Sequence, residues 1–141
     1  DKVSISDIDE NSIIGTDHAP HSLEEKTKGA FSSSSGIPAL ETVLPLLLSE
    51  VNRGNLDLRL IPKIFAENAA KRFNLQNKAF IKEGYDADLV LVDLKKEGVF
   101  DVDDFYTKAE YSPFDGFSYK GIATMTIVGG RIVMKDGIVY D

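Results

Sequence analysis

Apolar and polar positions change their period near the middle of the chain. Residues 1–11 alternate weakly, with Val3, Ile5 and Ile8 set among acids, and read as an irregular lead-in ending on the turn-prone Asp9-Glu10-Asn11. Ser12-Ile13-Ile14-Gly15 is a short apolar run of the kind that forms a buried strand of a parallel sheet. Residues 22–36 carry no apolar period and read as loop. Within them Ser22-Leu23-Glu24-Glu25 has the spacing of a capping box and predicts a helical turn. Ser32-Ser33-Ser34-Ser35-Gly36 has little to bury, and reads either as a mobile lid or as a solvated surface loop.

The helical period comes next. Leu40, Val43, Leu44, Leu47, Leu48 and Val51 share one face and predict a helix over residues 38–52 with this stripe in the core. Pro38 suits its first turn. Pro45 falls inside that span and predicts a bend, and Gly54 marks the end. Leu58, Ile61, Ile64 and Phe65 predict a second helix capped by Asp57, and Asn68 is placed to cap a short third helix through Phe73.

From Phe80 the pattern is that of strands. Leu89-Val90-Leu91-Val92, between Asp88 and Asp93, predicts a strand within residues 87–94, with Val99-Phe100 as another short one. Residues 101–104 form an acidic turn, and Ser112-Pro113-Phe114-Asp115-Gly116 is a loop. Residues 122–128 predict a strand that Gly129-Gly130 folds back into a partner at 131–134; Asp136-Gly137 turns again into 138–140. The chain thus reads as α/β in two parts: residues 1–75, strand, loop and helices, and residues 76–141, mostly antiparallel strands.

Composition narrows the function classes. Of 141 residues, 43% are apolar and 28% charged, the proportions of a folded globular chain. A net charge of -7 argues against a nucleic-acid or anionic-membrane surface, which needs a basic face. With no cysteine there is neither a disulfide framework nor a thiolate metal site, which fits a cytoplasmic protein. No apolar run approaches the ~18 residues of a membrane span, and no charged-then-apolar leader opens the chain. The first residue is Asp1 and not Met, which suggests a fragment or a processed product.

Both histidines lie in Thr16-Asp17-His18-Ala19-Pro20-His21, directly after the first predicted strand. Barrel enzymes keep their chemistry at the C-terminal ends of such strands. Asp17 there can ligate a metal and take a proton from an attacking water, or it can be an ordinary turn aspartate. His21 can hold a substrate carboxylate or a metal, or stand on the surface. His18 has no separate argument. A hydrolytic zinc site wants three protein ligands and an open position; three residues so close in one loop surround an ion poorly, so either the site is not metallic or further ligands come from elsewhere. Asp101, Asp103 and Asp104 lack the spacing of a calcium loop. No Walker, GxGxxG or GxSxG motif is present.

Ile14-Gly15-Thr16-Asp17-His18-Ala19-Pro20-His21, then Glu24-Glu25-Lys26, then Gly36-Ile37-Pro38-Ala39-Leu40-Glu41-Thr42 with Leu44-Pro45-Leu46-Leu47, resembles the dihydroorotase family. Glu83-Gly84-Tyr85-Asp86-Ala87-Asp88 with the strand after it, Ser112-Pro113-Phe114, and Val128-Gly129-Gly130-Arg131 are similar to segments of the wider cyclic-amidohydrolase group. The resemblance implies a (β/α)8 barrel with a small β-sandwich built from both chain ends. Such barrels need ~250 residues, so this chain resembles the C-terminal part: the last barrel strand plus helices in residues 1–75, then antiparallel sandwich strands in residues 76–141. The family's HxH motif, carboxylated lysine and other histidine ligands have no counterpart here, which would account for the missing ligands.

The resemblance implies that Asp17 is both a metal ligand, for one or two Zn2+ ions, and the catalytic proton shuttle. It implies that His21 holds the substrate carboxylate, and that Ser35 and Gly36 contact substrate. Ser35 stands where bacterial members often have an aromatic, and Ala69 where many have proline. The implied reaction is reversible hydrolysis of dihydroorotate to N-carbamoyl-L-aspartate in pyrimidine biosynthesis, by a cytoplasmic enzyme of which this chain alone would be inactive. Implied partners are the small-molecule substrate, the rest of its own barrel, and either a homo-oligomer or aspartate carbamoyltransferase. Two other readings stay open: a non-catalytic dihydroorotase-like scaffold bound to aspartate carbamoyltransferase, and a hydantoinase or dihydropyrimidinase-type cyclic amidase.

Overall fold

The switch from helices to antiparallel strands is the organising feature of the structure, a computed structural model that describes residues 4–29 and 32–140. Val3 of the lead-in lies outside the described residues. In order come a 3-10 turn (Ile5–Asp7), α1 (Leu23–Lys26), α2 (Val43–Asn52), α3 (Leu60–Pro62), a π-turn (Lys63–Glu67), α4 (Asn68–Phe73), β1 (Leu89–Val99), β2 (Ser118–Val128), β3 (Arg131–Lys135) and β4 (Ile138–Val139). The four strands form one sheet in the order β1-β2-β3-β4, every pairing antiparallel. The chain is α/β, as its pattern predicts. Among the described residues no helix is long and apolar enough to cross a membrane.

The strand run expected at residues 12–15 does not form. A strand exists only by pairing with a neighbour. Here Ile14 N–H donates instead to the Ile64 carbonyl inside the π-turn, at 2.9 Å, and Ile13 is 44% exposed. Asn68, expected as a helix cap, lies in an unbroken helical run that begins at Leu60 and passes through the π-turn. Its side-chain amide reaches back to donate to the carbonyls of Glu10 and Ser12, both at 2.8 Å. It therefore staples the approach to Asp17 onto α4. Asn74, in the left-handed conformation at φ 53°, ends that helix.

Helix α2 begins five residues later than its apolar stripe suggests. Ala39 to Thr42 make a preceding turn, in which Val43 N–H donates to the Ala39 carbonyl. The first four N–H groups of a helix have no intrahelical acceptor. Pro45, at the third helical position, lies within that first turn, where a missing N–H is tolerated. Leu40 drops out of the stripe and is 59% exposed, whereas Leu47 and Leu48 are buried as expected.

The predicted strand at residues 87–94 and the short one at 99–100 are a single long β1. It is broken by an irregularity in which Asp93 pairs with Ile122 and Glu97 with Lys120. The Asp93 carboxylate accepts the N–H groups of Lys95 and Lys96, which holds the bulge. Opposite it, β2 turns to α2. Lys120 N–H donates to Ser49 Oγ at 2.8 Å, and the Lys120 carbonyl accepts from Asn52 Nδ2 at 3.1 Å. The Gly129-Gly130 hairpin forms as predicted, with Val128 facing Arg131.

The core follows from this contact. Leu48 and Ile64 are fully buried, Phe100 nearly so, with the Tyr119 ring 4.7 Å from the Phe100 ring. Gly121 has φ 102°, and a Cβ there would lie 2.7 Å from Leu48 Cβ. Gly121→Ala therefore combines backbone strain with overpacking and is expected to cost about 2–4 kcal/mol. Urea unfolding should show a lower midpoint with an unchanged slope; an unmoved midpoint would mean that α2 does not rest on β2 at this point.

Candidate active-site loop

The loop that carries both histidines is held by backbone pairing to a segment about twenty residues further on. Asp17 enters it with φ 46°, a left-handed conformation uncommon outside glycine. His18 then pairs with Ile37 as an isolated parallel bridge, and Ala19 N–H donates to the Ile37 carbonyl at 3.0 Å. Gly36 precedes that bridge with φ 90°, and a Cβ on it would sit 2.5 Å from Ala19 Cβ and 4.0 Å from the Asp17 carbonyl. Only glycine lets the two backbones approach so closely. Asp17 and Gly36, both expected to be site residues, are thus neighbours through their backbones.

His18, which carried no separate argument in the sequence, makes long-range contacts in the loop. Its Nδ1 accepts the N–H groups of Ala39 and Leu40, at 3.1 and 3.3 Å. These are backbone amides more than twenty residues away, and no local spacing announces them. Lys26 is the second such residue. Its ammonium is partly buried, donates to the carbonyls of Ser34 and Gly36 at 2.6 and 2.7 Å, and lies 5.8 Å from the centre of the Tyr111 ring.

These bonds decide between the two readings of the serine run. Ser33 Oγ donates to the Lys26 carbonyl at 2.9 Å, and Ser34 N–H to the Glu25 carbonyl at 3.4 Å. Residues 33–36 are strapped to α1 by both backbone and side chains, and are neither a free lid nor a simple solvated loop. Ser35, between two strapped carbonyls, is exposed.

His21 stands half-exposed at the entrance to α1. Its N–H donates to the Ala19 carbonyl at 2.9 Å, and its Nδ1 lies 3.5 Å from Glu25 Oε2. Glu25 completes the predicted capping box: Ser22 N–H donates to Glu25 Oε2 at 3.0 Å, and Glu25 N–H donates to Ser22 Oγ at 3.3 Å. The Ser22 N–H bond holds the Glu25 carboxyl below the usual carboxylate range, and the His21 imidazole pulls the same way. The His21 ring thus has a carboxylate near Nδ1.

The loop does not by itself make a metal centre. Among the described residues no group of three or more His, Cys, Asp or Glu is gathered closely enough to hold an ion. Asp17 is exposed, and it offers a single carboxylate. A hollow of about 690 Å³ lies elsewhere, between the start of α2 and the sheet, and is lined by Leu40, Leu44, Phe105 and Ile138 among others. Across its edge the Glu41 carboxylate accepts the N–H groups of Tyr106 and Thr107, at 2.8 and 2.9 Å, joining the helical part to the loop after β1.

The chain is 52% identical over 134 residues to a dihydroorotase of Methanothermobacter thermautotrophicus, covering 95% of this chain and 31% of that protein. It is 45% identical over 129 residues to a dihydroorotase of Pyrococcus abyssi, covering 92% of this chain and 31% of that protein. The chain therefore spans about a third of the length of these relatives. Among solved structures, a D-hydantoinase (dihydropyrimidinase) from Thermus sp. superimposes with a TM-score of 0.85 at 32% identity, over 92% of this chain and 29% of that one. An L-hydantoinase (dihydropyrimidinase) from Arthrobacter aurescens gives 0.75 at 34% identity, over 79% of this chain and 25% of that one. Residues 4–133 match the amidohydrolase family as a whole, and the chain belongs to that family.

Proposed function

We propose that this chain is the C-terminal part of a dihydroorotase, a cyclic amide hydrolase that interconverts dihydroorotate and N-carbamoyl-L-aspartate. The observation that carries this reading is the backbone clip between residues 17–19 and 36–37, formed within a chain 52% identical to a dihydroorotase. It brings Asp17 beside the backbone that the resemblance assigns to substrate contact. In this reading residues 1–75 belong to the (β/α)8 barrel and residues 76–141 to the sandwich. The exposed Val90, Leu91, Val92 and Ile138 of the sheet fit a surface that the rest of a longer polypeptide covers.

Asp17 would supply one carboxylate to a zinc ion, with further ligands from outside this chain. When bound, the ion would supply Lewis acidity that lowers the pKa of a water. The role of Asp17 is then to accept the proton released as the ring carbonyl is attacked and to return it to the leaving amide nitrogen. His21 holds the substrate carboxylate through Nε2, its ring set by Glu25 on the other edge. Ser35 and Gly36 present backbone to the ring, with Lys26 fixing the carbonyls on either side. The enzyme is read as cytoplasmic.

Asp17→Asn in the full-length polypeptide removes the proton acceptor and is expected to lower kcat for dihydroorotate by at least about 10²-fold. Steady-state hydrolysis monitored by ring absorbance checks this, and an unchanged rate would remove Asp17 from the chemistry. The isolated 141-residue chain, with zinc added, is expected to show no turnover above background; measurable turnover would mean that a complete site resides within it.

The hydantoinase structures keep a second reading in view, a cyclic amidase for uncharged rings such as dihydrouracil. The two readings differ at His21, because only dihydroorotate carries a carboxylate for it to hold. The full-length enzyme should prefer dihydroorotate, and His21→Ala should raise KM for it far more than for dihydrouracil. Equal kcat/KM on the two substrates would favour the second reading.

A further inference from the structure

The parallel bridge at His18 and Ile37 is a single pair, too short to hold two backbones in register unaided. Yet the contact is tight, with Gly36 pressed against Ala19 and Asp17 in a left-handed conformation that needs its surroundings to maintain it. We infer that His18 is a positioning residue: its Nδ1, by accepting the amides of Ala39 and Leu40, sets the distance between Asp17 and the backbone at Gly36. This rests on the reading of that loop as the substrate site.

The chemistry of the ring makes this specific. A nitrogen that accepts N–H donors carries no hydrogen of its own, so Nδ1 is the accepting edge of this ring. Ala39 is buried at 8% exposure, and its N–H would be left unsatisfied without His18. The two amides follow the bridge and lead directly into the turn before α2. One side chain therefore ties Asp17, one residue before it, to the helix that rests on the sheet. Displacement of a reacting group by about 1 Å can cost on the order of 10² in rate, so a clip at this position controls catalysis without touching substrate.

Asparagine and glutamine separate this from a general need for a polar residue. Asn Oδ1 stands where Nδ1 stands, whereas Gln places its polar atoms near Nε2. In the full-length enzyme His18→Asn should keep most of the wild-type kcat on dihydroorotate. His18→Gln should lose about 10²-fold in kcat, with a smaller change in KM. Hydrogen exchange should show the Ala39 and Leu40 amides protected in wild type and His18→Asn and fast in His18→Gln. Nitrogen NMR of wild type should find His18 Nδ1 bare and Nε2 protonated. Equal kcat and equal amide protection in the two variants, or a hydrogen on Nδ1, would overturn the inference. If wild type fails to hydrolyse dihydroorotate, the substrate reading fails by itself, and the exchange and NMR results still decide whether His18 holds the clip.

Discussion

One short backbone contact, between residues 17–19 and 36–37, is the constraint on which the site depends. Everything nearby serves to make that contact possible or to keep it. Gly36 has no Cβ to obstruct Ala19. Lys26 donates to the carbonyls of Ser34 and Gly36 from one side, and His18 accepts the amides of Ala39 and Leu40 from the other. Asn68 fixes the carbonyls of Glu10 and Ser12 on the approach. The contact then passes through the turn at Ala39 into α2, and through Leu48, Ser49 and Asn52 into the sheet at Lys120 and Gly121. Loop, helix and sheet form one connected series, with the proposed site at one end.

What could be read in advance was what local chemistry decides. The Gly129-Gly130 hairpin, the Asp136-Gly137 turn and the Ser22–Glu25 capping box are each made by residues adjacent in sequence, and each is found where its residues predict. The apolar runs at 89–92 and 122–128 became strands for the same reason. The failures are non-local. The run at 12–15 looks like a strand, but a strand is made by its neighbours, and here its amide goes to a helix. Pro45 read as interior to its helix because the stripe could not show where the first turn begins. The Asp93 bulge answers a helix that packs on the opposite strand.

The same division runs through the site. Asp17, His21 and Gly36 were singled out by residue type and a resemblance in motif, and the proposed site rests on them. His18 and Lys26 were not, because each finds its partner in a backbone group eight or more residues away. Among the described residues no metal cluster is gathered, and the chain spans about a third of the length of its relatives. Apolar side chains are also left exposed on β1 and β4, and in the proposed reading further polypeptide covers them.

The account stands on Asp17 and His21 addressing one molecule from one side of the clip. A crystal structure of the full-length polypeptide with N-carbamoyl-L-aspartate tests this most directly. The Asp17 carboxylate should face the ureido end of the ligand and His21 Nε2 its carboxylate, with Gly36 backbone against it between them. A ligand bound elsewhere, or the two side chains opening onto opposite faces of the loop with no shared cavity, would contradict it.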